Sequence, residues 1–161
     1  MTLKLIGGIL LVLSGVIGAE VLNARAAVAL DRVDGWISFL RYARRMVECY
    51  ALPEEAILSR AEGTMLTACG YSGDMPPRDF RTMIAACADG GDLTESARAA
   101  LCRFVSAYGQ GYRDEQMRIC DDTLLALGEE RELLSSALPA QRQKNTTFAV
   151  AGAIGLAILL L

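Results

Sequence analysis

The chain has 161 residues, a net charge of −3, and is 53% hydrophobic and 22% charged. That length suits one compact domain with additions, and the mild acidity argues against nucleic acid, because no broad basic face exists to neutralise phosphates. There is no histidine, so the commonest neutral-pH general base and metal ligand are both missing.

The N-terminal stretch runs from Lys4 into "LIGGILLVLSGVIGA", uncharged from Leu5 to Ala19 and broken before Leu22 only by Glu20. Its charge and length also match a signal peptide. A cleavage site would need small residues at alternate positions. "Ala24-Arg25-Ala26" has them, but it lies past Glu20, outside the apolar run. An uncleaved transmembrane helix over 1–22 is therefore expected, with a cleaved signal or a core helix as alternatives.

From Ala24 to Leu52 there is no proline, and Trp36, Leu40, Ala43, Val47 and Tyr50 recur at three- and four-residue steps. That spacing predicts a helix continuing from the first span, with a kink near Gly35. Trp36 reads as part of the stripe, the alternative being a partner-facing anchor. "Leu52-Pro53-Glu54-Glu55" predicts a new helix start, with proline at the first position and acids in the first turn, running to about Cys69. "GYSGDMPP" is dense in breakers and reads as a loop. A short helix over Arg78 to Ala88 follows, ended by Asp89-Gly90-Gly91. Asp92, with Glu95 three residues on, predicts a capping-box-like start for a helix carrying Ala97, Leu101, Phe104, Val105 and Tyr108. It stops near Gly109 and Gly111. A last long helix is expected from Arg113 to about Leu138, where Pro139 breaks or kinks the path. No alternating pattern predicts a strand.

Residues 144–161 form the other apolar end. Thr146 to Leu161 has no charge and measures roughly 24 Å as a helix, against a hydrocarbon core of about 30 Å. It is apolar all round, whereas a core helix at a surface needs a polar face. Arg142 and Lys144 precede it, where snorkelling cations belong. A second transmembrane helix over 144–161 is expected, and a tail removed for lipid anchoring is the alternative.

Fifteen of the sixteen lysines and arginines follow the first run, so the positive-inside rule places the middle, 23–143, in the cytoplasm. Cys49, Cys69, Cys87, Cys102 and Cys120 form no C-x-x-C pair; in a reducing compartment they read as five small buried hydrophobes. The fold class is thus all-α: a membrane-anchored antiparallel helical bundle between an N-terminal and a C-terminal transmembrane helix. Its first and last bundle helices should lie side by side.

No catalytic constellation emerges. The acidic pairs Glu54/Glu55, Asp121/Asp122 and Glu129/Glu130 are adjacent, so on a helix their side chains diverge. Gly109-Gln110-Gly111 is a helix stop, and neither a phosphate-binding loop nor a G-x-S-x-G elbow is present. A non-enzyme is expected, with no cofactor and no metal.

Three stretches carry a resemblance: "MTLKLIGGILLVLSGVIGAEVLNARAA", "LRYARRMVECYALPEEAI" with its Leu-Pro after the first long helix, and "FVSAYGQGYRDEQMRICDDTLLAL" with a glycine turn before Asp114-Glu115-Gln116. Along essentially the whole chain the sequence resembles the stage III sporulation protein AB family. That resemblance implies a non-enzymatic subunit of the stage III A complex in the mother-cell membrane around the forespore. It also implies a helical domain similar to the platform protein F of type II secretion and type IV pilus systems. The implied partners are the ATPase-like protein AA and the other stage III A membrane proteins, in an oligomeric complex. A membrane-tethered adaptor or regulator unrelated to sporulation is the alternative. Asp114, Glu115 and Gln116 are candidates either for capping the last helix or for docking a partner. Gly152 and Gly155 form a small-residue face suited to close contact with the first span, whose Gly7, Gly8, Gly15 and Gly18 are similarly small.

Overall fold

The computed structural model describes the backbone of residues 2–88 and 92–160, and side chains within 18–152 except 19, 22, 88–91, 141, 142, 145, 146 and 148–150. Six helices follow one another: α1 (Thr2–Tyr50), α2 (Glu54–Arg60), α3 (Gly63–Ala68), α4 (Phe80–Ala88), α5 (Glu95–Ala107) and α6 (Arg113–Leu160). Among the described residues there is no strand, so the fold is all-α. The chain divides into two compact units. Unit 1 is Met1–Val28 with Leu134–Leu161; unit 2 is Ala29–Leu133. Both divisions fall inside a long helix. Among the described residues no helix is long and apolar enough to cross a membrane. The two uncharged runs lie mostly outside the described side chains.

Within unit 2, α1 and α6 run side by side and antiparallel. Asp34 pairs with Arg131 and Arg44 with Asp121, while the Arg113 guanidinium donates to the Glu48 carbonyl. Partner numbers rise along α1 as they fall along α6. These contacts are exposed, so they mark register more than they stabilise.

Burial holds unit 2 together. The α1 stripe delivers Val33, Trp36, Phe39, Leu40, Ala43 and Val47 inward, each 1% exposed or less. Tyr50 departs from the stripe and is exposed at the helix end. Trp36 is fully buried, which makes it a core residue. Phe39 meets Trp36 and Phe80 edge-on, each at 5.8 Å between ring centres. Phe80 then reaches Phe104 at 5.3 Å and Tyr108 at 4.9 Å. Each such ring contributes roughly 1.5–3 kcal/mol through burial, and the ring pairs add to it.

Three local expectations need correction. The helix expected from Pro53 to Cys69 is two helices, because Ala61 and Glu62 are extended, at ψ 137° and 139°. Gly35 lies inside the unbroken α1. A Cβ there would lie 2.5 Å from the Ala68 carbonyl oxygen, so glycine lets the end of α3 rest on α1. The cap of α5 is Thr94, whose hydroxyl accepts from the Ala97 N–H at 3.2 Å; Asp92 instead faces Arg32 at 3.7 Å. Pro139 does not end the last helix, since it lies inside α6 and removes one N–H from the ladder. The stop expected at 89–91 lies outside the described residues.

The seat at Gly35 is built from both sides. Arg32, one turn earlier on α1, donates to the Thr67 carbonyl at 2.7 Å and the Ala68 carbonyl at 3.2 Å. Those are end-of-helix acceptors without partners inside α3. Gly70, at φ 98°, donates to Thr67 and Tyr71 donates to Leu66, the paired reverse bonds that close a helix on a left-handed glycine. Glu54 links another pair of helices. It begins α2, and its carboxylate accepts from the Phe80 N–H, the first residue of α4. Asp79 accepts from the Thr82 N–H at 2.6 Å, and these bonds hold its carboxyl below the usual range.

The cysteines divide. Cys69, Cys87 and Cys120 are buried, whereas Cys49 and Cys102 are exposed, and all five are free thiols. Burial pushes Cys87 up to about 11 and Cys120 up to about 12, with Cys69 raised further. Two fast thiols per chain are therefore expected in a native titration with a disulfide reagent, the other three reacting only after unfolding. Three or more fast thiols would contradict this burial. The buried thiols stay neutral while an unfolded chain ionises near pH 8.5. Their contribution is thus complete below that pH and lost as pH rises towards 11–12.

Candidate functional site

Asp114, Glu115 and Gln116 occupy the first turn of α6, after a turn that Gly109 enters at φ 84°. They do not act as one group. Gln116 is half-buried and its Nε2 donates back to the Gly111 carbonyl at 3.2 Å, while its backbone N–H donates to Tyr112 at 3.0 Å. It ties the turn to the helix. Glu115 is exposed and its carboxylate holds Arg118 at 2.6 Å, which keeps its carboxyl below the usual range. Its stem lies across Gly111, where an added Cβ would sit 2.6 Å from Cγ. Asp114 is exposed with no hydrogen bond or ion pair among the described residues. Neither carboxylate accepts one of the first N–H groups of α6 among the described residues, and the Gln116 side chain donates back into the turn and does not cap the helix.

The surroundings of this turn hold what the sequence reading missed. Tyr112 is 93% exposed and Tyr50 is 65% exposed. Arg113 bridges the first turn of α6 to the last turn of α1, so both rings belong to one end of unit 2. This end is opposite residues 29 and 133. The α1–α2 connection lies here too, with Ala51 at φ 48° and exposed Glu55 in the first turn of α2. The available signal was a tyrosine directly after a glycine turn, at a helix start rather than on a stripe.

Next to this end is a cleft of about 230 Å³ lined by Glu54, Asp79, Phe80, Arg81, Val105 and Tyr108. Its two carboxylates are occupied by the start of α4. The Tyr108 hydroxyl is buried with no hydrogen-bond partner among the described residues, and burial raises its pKa. The adjacent acids diverge as helix geometry requires: Asp121 meets Arg44 and Asp122 meets Arg118. Among the described residues no group of three or more Cys, Asp or Glu side chains could hold a metal ion.

The small-residue face is placed only in part. Gly152 is exposed, and a Cβ added there meets nothing within 4 Å; the same holds at Gly18. Gly155 lies outside the described side chains. No family model, no curated protein and no solved structure matches the chain.

Proposed function

We propose that the chain is a non-enzymatic membrane platform subunit, with helical ends in the bilayer and unit 2 in the cytoplasm offering a docking surface. The observation that carries this reading is the division of the chain: the segments bearing the two uncharged runs form one compact unit, apart from the charged middle. A bilayer admits helices because all their backbone groups are satisfied internally. Basic residues follow the first run and precede the second, in keeping with a cytoplasmic middle.

The sequence resemblance gives the reading its specific form. On it, the chain is a subunit of the sporulation stage III A complex between mother cell and forespore. It docks the ATPase-like protein AA, oligomerises with the other stage III A membrane proteins, and is required for sporulation. A membrane-tethered adaptor or regulator outside sporulation shares the architecture. Co-purification with an ATPase-like protein separates the two, the adaptor reading expecting none.

Topology is testable with the native thiols. Cys49 and Cys102 are exposed in unit 2. A membrane-impermeant maleimide is expected to leave them unlabelled in intact cells and to label both after permeabilisation. Labelling in intact cells would place unit 2 outside and sink the platform reading. A mature N-terminus near Ala26 would replace the first span with a cleaved signal.

A further inference from the structure

We infer that Met75 is a surface site of reversible oxidation. A hydroperoxide converts its thioether to the sulfoxide in the folded chain, and a methionine sulfoxide reductase restores it. The inference goes beyond the platform reading and does not depend on it.

The side chain is singled out by exposure. Met75 lies in the breaker-rich loop between α3 and α4 and is 77% exposed. Met46, Met65 and Met117 are half-buried, and Met83 is fully buried. The loop is also held in place. The Tyr71 hydroxyl donates to the Met75 carbonyl at 2.8 Å. Gly73 lies so close to the Tyr71 ring that a Cβ there would collide with it. Pro76 and Pro77 follow with their fixed φ, and the buried Pro77 anchors the far end of the loop. The Met75 backbone is thus tied down while its side chain stands in solvent.

The chemistry needs only a peroxide and a thiol reductant. The sulfur attacks one peroxide oxygen, the O–O bond breaks, and an S–O bond forms. Sulfur gives up two electrons, and with hydrogen peroxide the other oxygen leaves as water. In the reverse step two reductase thiols return two electrons, the oxygen leaves as water, and the thiols end as a disulfide. Oxidation replaces an apolar thioether by a polar sulfoxide. In a core that change disrupts packing. At Met75 it falls on the surface of a loop, and unit 2 stays folded.

The test treats the full chain in detergent with hydrogen peroxide, in enough excess that the exposed thiols of Cys49 and Cys102 do not exhaust it. Peptide mass follows each methionine. Met75 is expected to gain oxygen about fivefold or more faster than Met46, Met65, Met83 or Met117. Melting at that stage should equal that of a Met75→Leu variant treated in parallel, which lacks the early methionine phase. The two reductases that act on the two sulfoxide epimers, supplied with dithiothreitol, should return the native mass. Comparable rates at Met46, Met65 or Met117 would overturn the inference, because exposure would not then select the site. A melting loss that tracks Met75 oxidation and is absent from Met75→Leu would overturn it too, since the thioether would be serving the fold. So would a Met75 sulfoxide that the reductases leave untouched. Maleimide labelling in intact cells would sink the platform reading without changing these rates, so the two failures are distinct.

Discussion

Replacing Gly35 by alanine is expected to destabilise unit 2, although alanine is the better helix former. Helix propensity alone favours Gly→Ala by about 1 kcal/mol. The added methyl, however, would sit 2.5 Å from the Ala68 carbonyl oxygen and 2.6 Å from its carbon. Both are backbone atoms at the end of α3, held by Arg32 from α1 and by the reverse bonds of Gly70 and Tyr71. No side chain can rotate away. Overpacking a fitted contact costs about 1–3 kcal/mol, and here it also pulls the two carbonyls off Arg32. A net loss of about 2 kcal/mol or more is expected, lowering Tm by roughly 4–8 °C per kcal/mol for a unit of this size. Gly128→Ala supplies the opposite sign. Gly128 is also helical, on α6, and a Cβ there meets nothing within 4 Å, so a gain of roughly 0.5–1 kcal/mol is expected. Thermal melts of both variants in detergent decide the matter. A Gly35→Ala variant as stable as Gly128→Ala would mean that α3 does not rest on α1.

Phe80→Ala is expected to be the costliest single truncation, at about 3–5 kcal/mol. Phe80 is 1% exposed and its ring touches Phe39, Phe104 and Tyr108. It therefore joins α1, α4 and the end of α5 through one side chain. Its backbone N–H is also held by Glu54 of α2, so the cavity would open where four elements meet and collapse is hard. Set against a usual total of 5–15 kcal/mol, the loss is a large fraction of what holds a domain folded. Phe80→Leu should recover more than half of it, and Tyr112→Ala, at 93% exposure, should cost about 0.5 kcal/mol or less. Urea unfolding separates the three; comparable midpoints for Phe80→Ala and Tyr112→Ala would contradict the aromatic core.

Periodicity made much of the fold legible. The stripe from Trp36 to Val47 and the apolar positions of α5 needed only the helical repeat. What the sequence hid was set by contacts distant along the chain. Gly35 looked like a weak point because helix propensity is local, whereas its role comes from a carbonyl thirty-three residues later. Asp92 looked like a cap because acceptor spacing is also local, but Thr94 lay one residue before the helix and Asp92 was drawn to Arg32. The break at Ala61 and Glu62 left no proline to announce it. At the candidate site, Asp114, Glu115 and Gln116 were visible as a polar trio after a glycine turn. Their separate fates depended on Arg118 and Gly111. Tyr50 and Tyr112 stayed hidden because exposure is not readable from residue type.

Trp36 is the only tryptophan in the chain, fully buried, with an indole N–H that has no hydrogen-bond partner among the described residues. An indole shielded from water and without a polar partner emits at short wavelength, and unfolding moves it into water and shifts the emission red. The chain thus carries an optical gauge of unit 2 alone. Loosening at α1 will show in its colour while the membrane-proposed ends, which contain no tryptophan, stay dark.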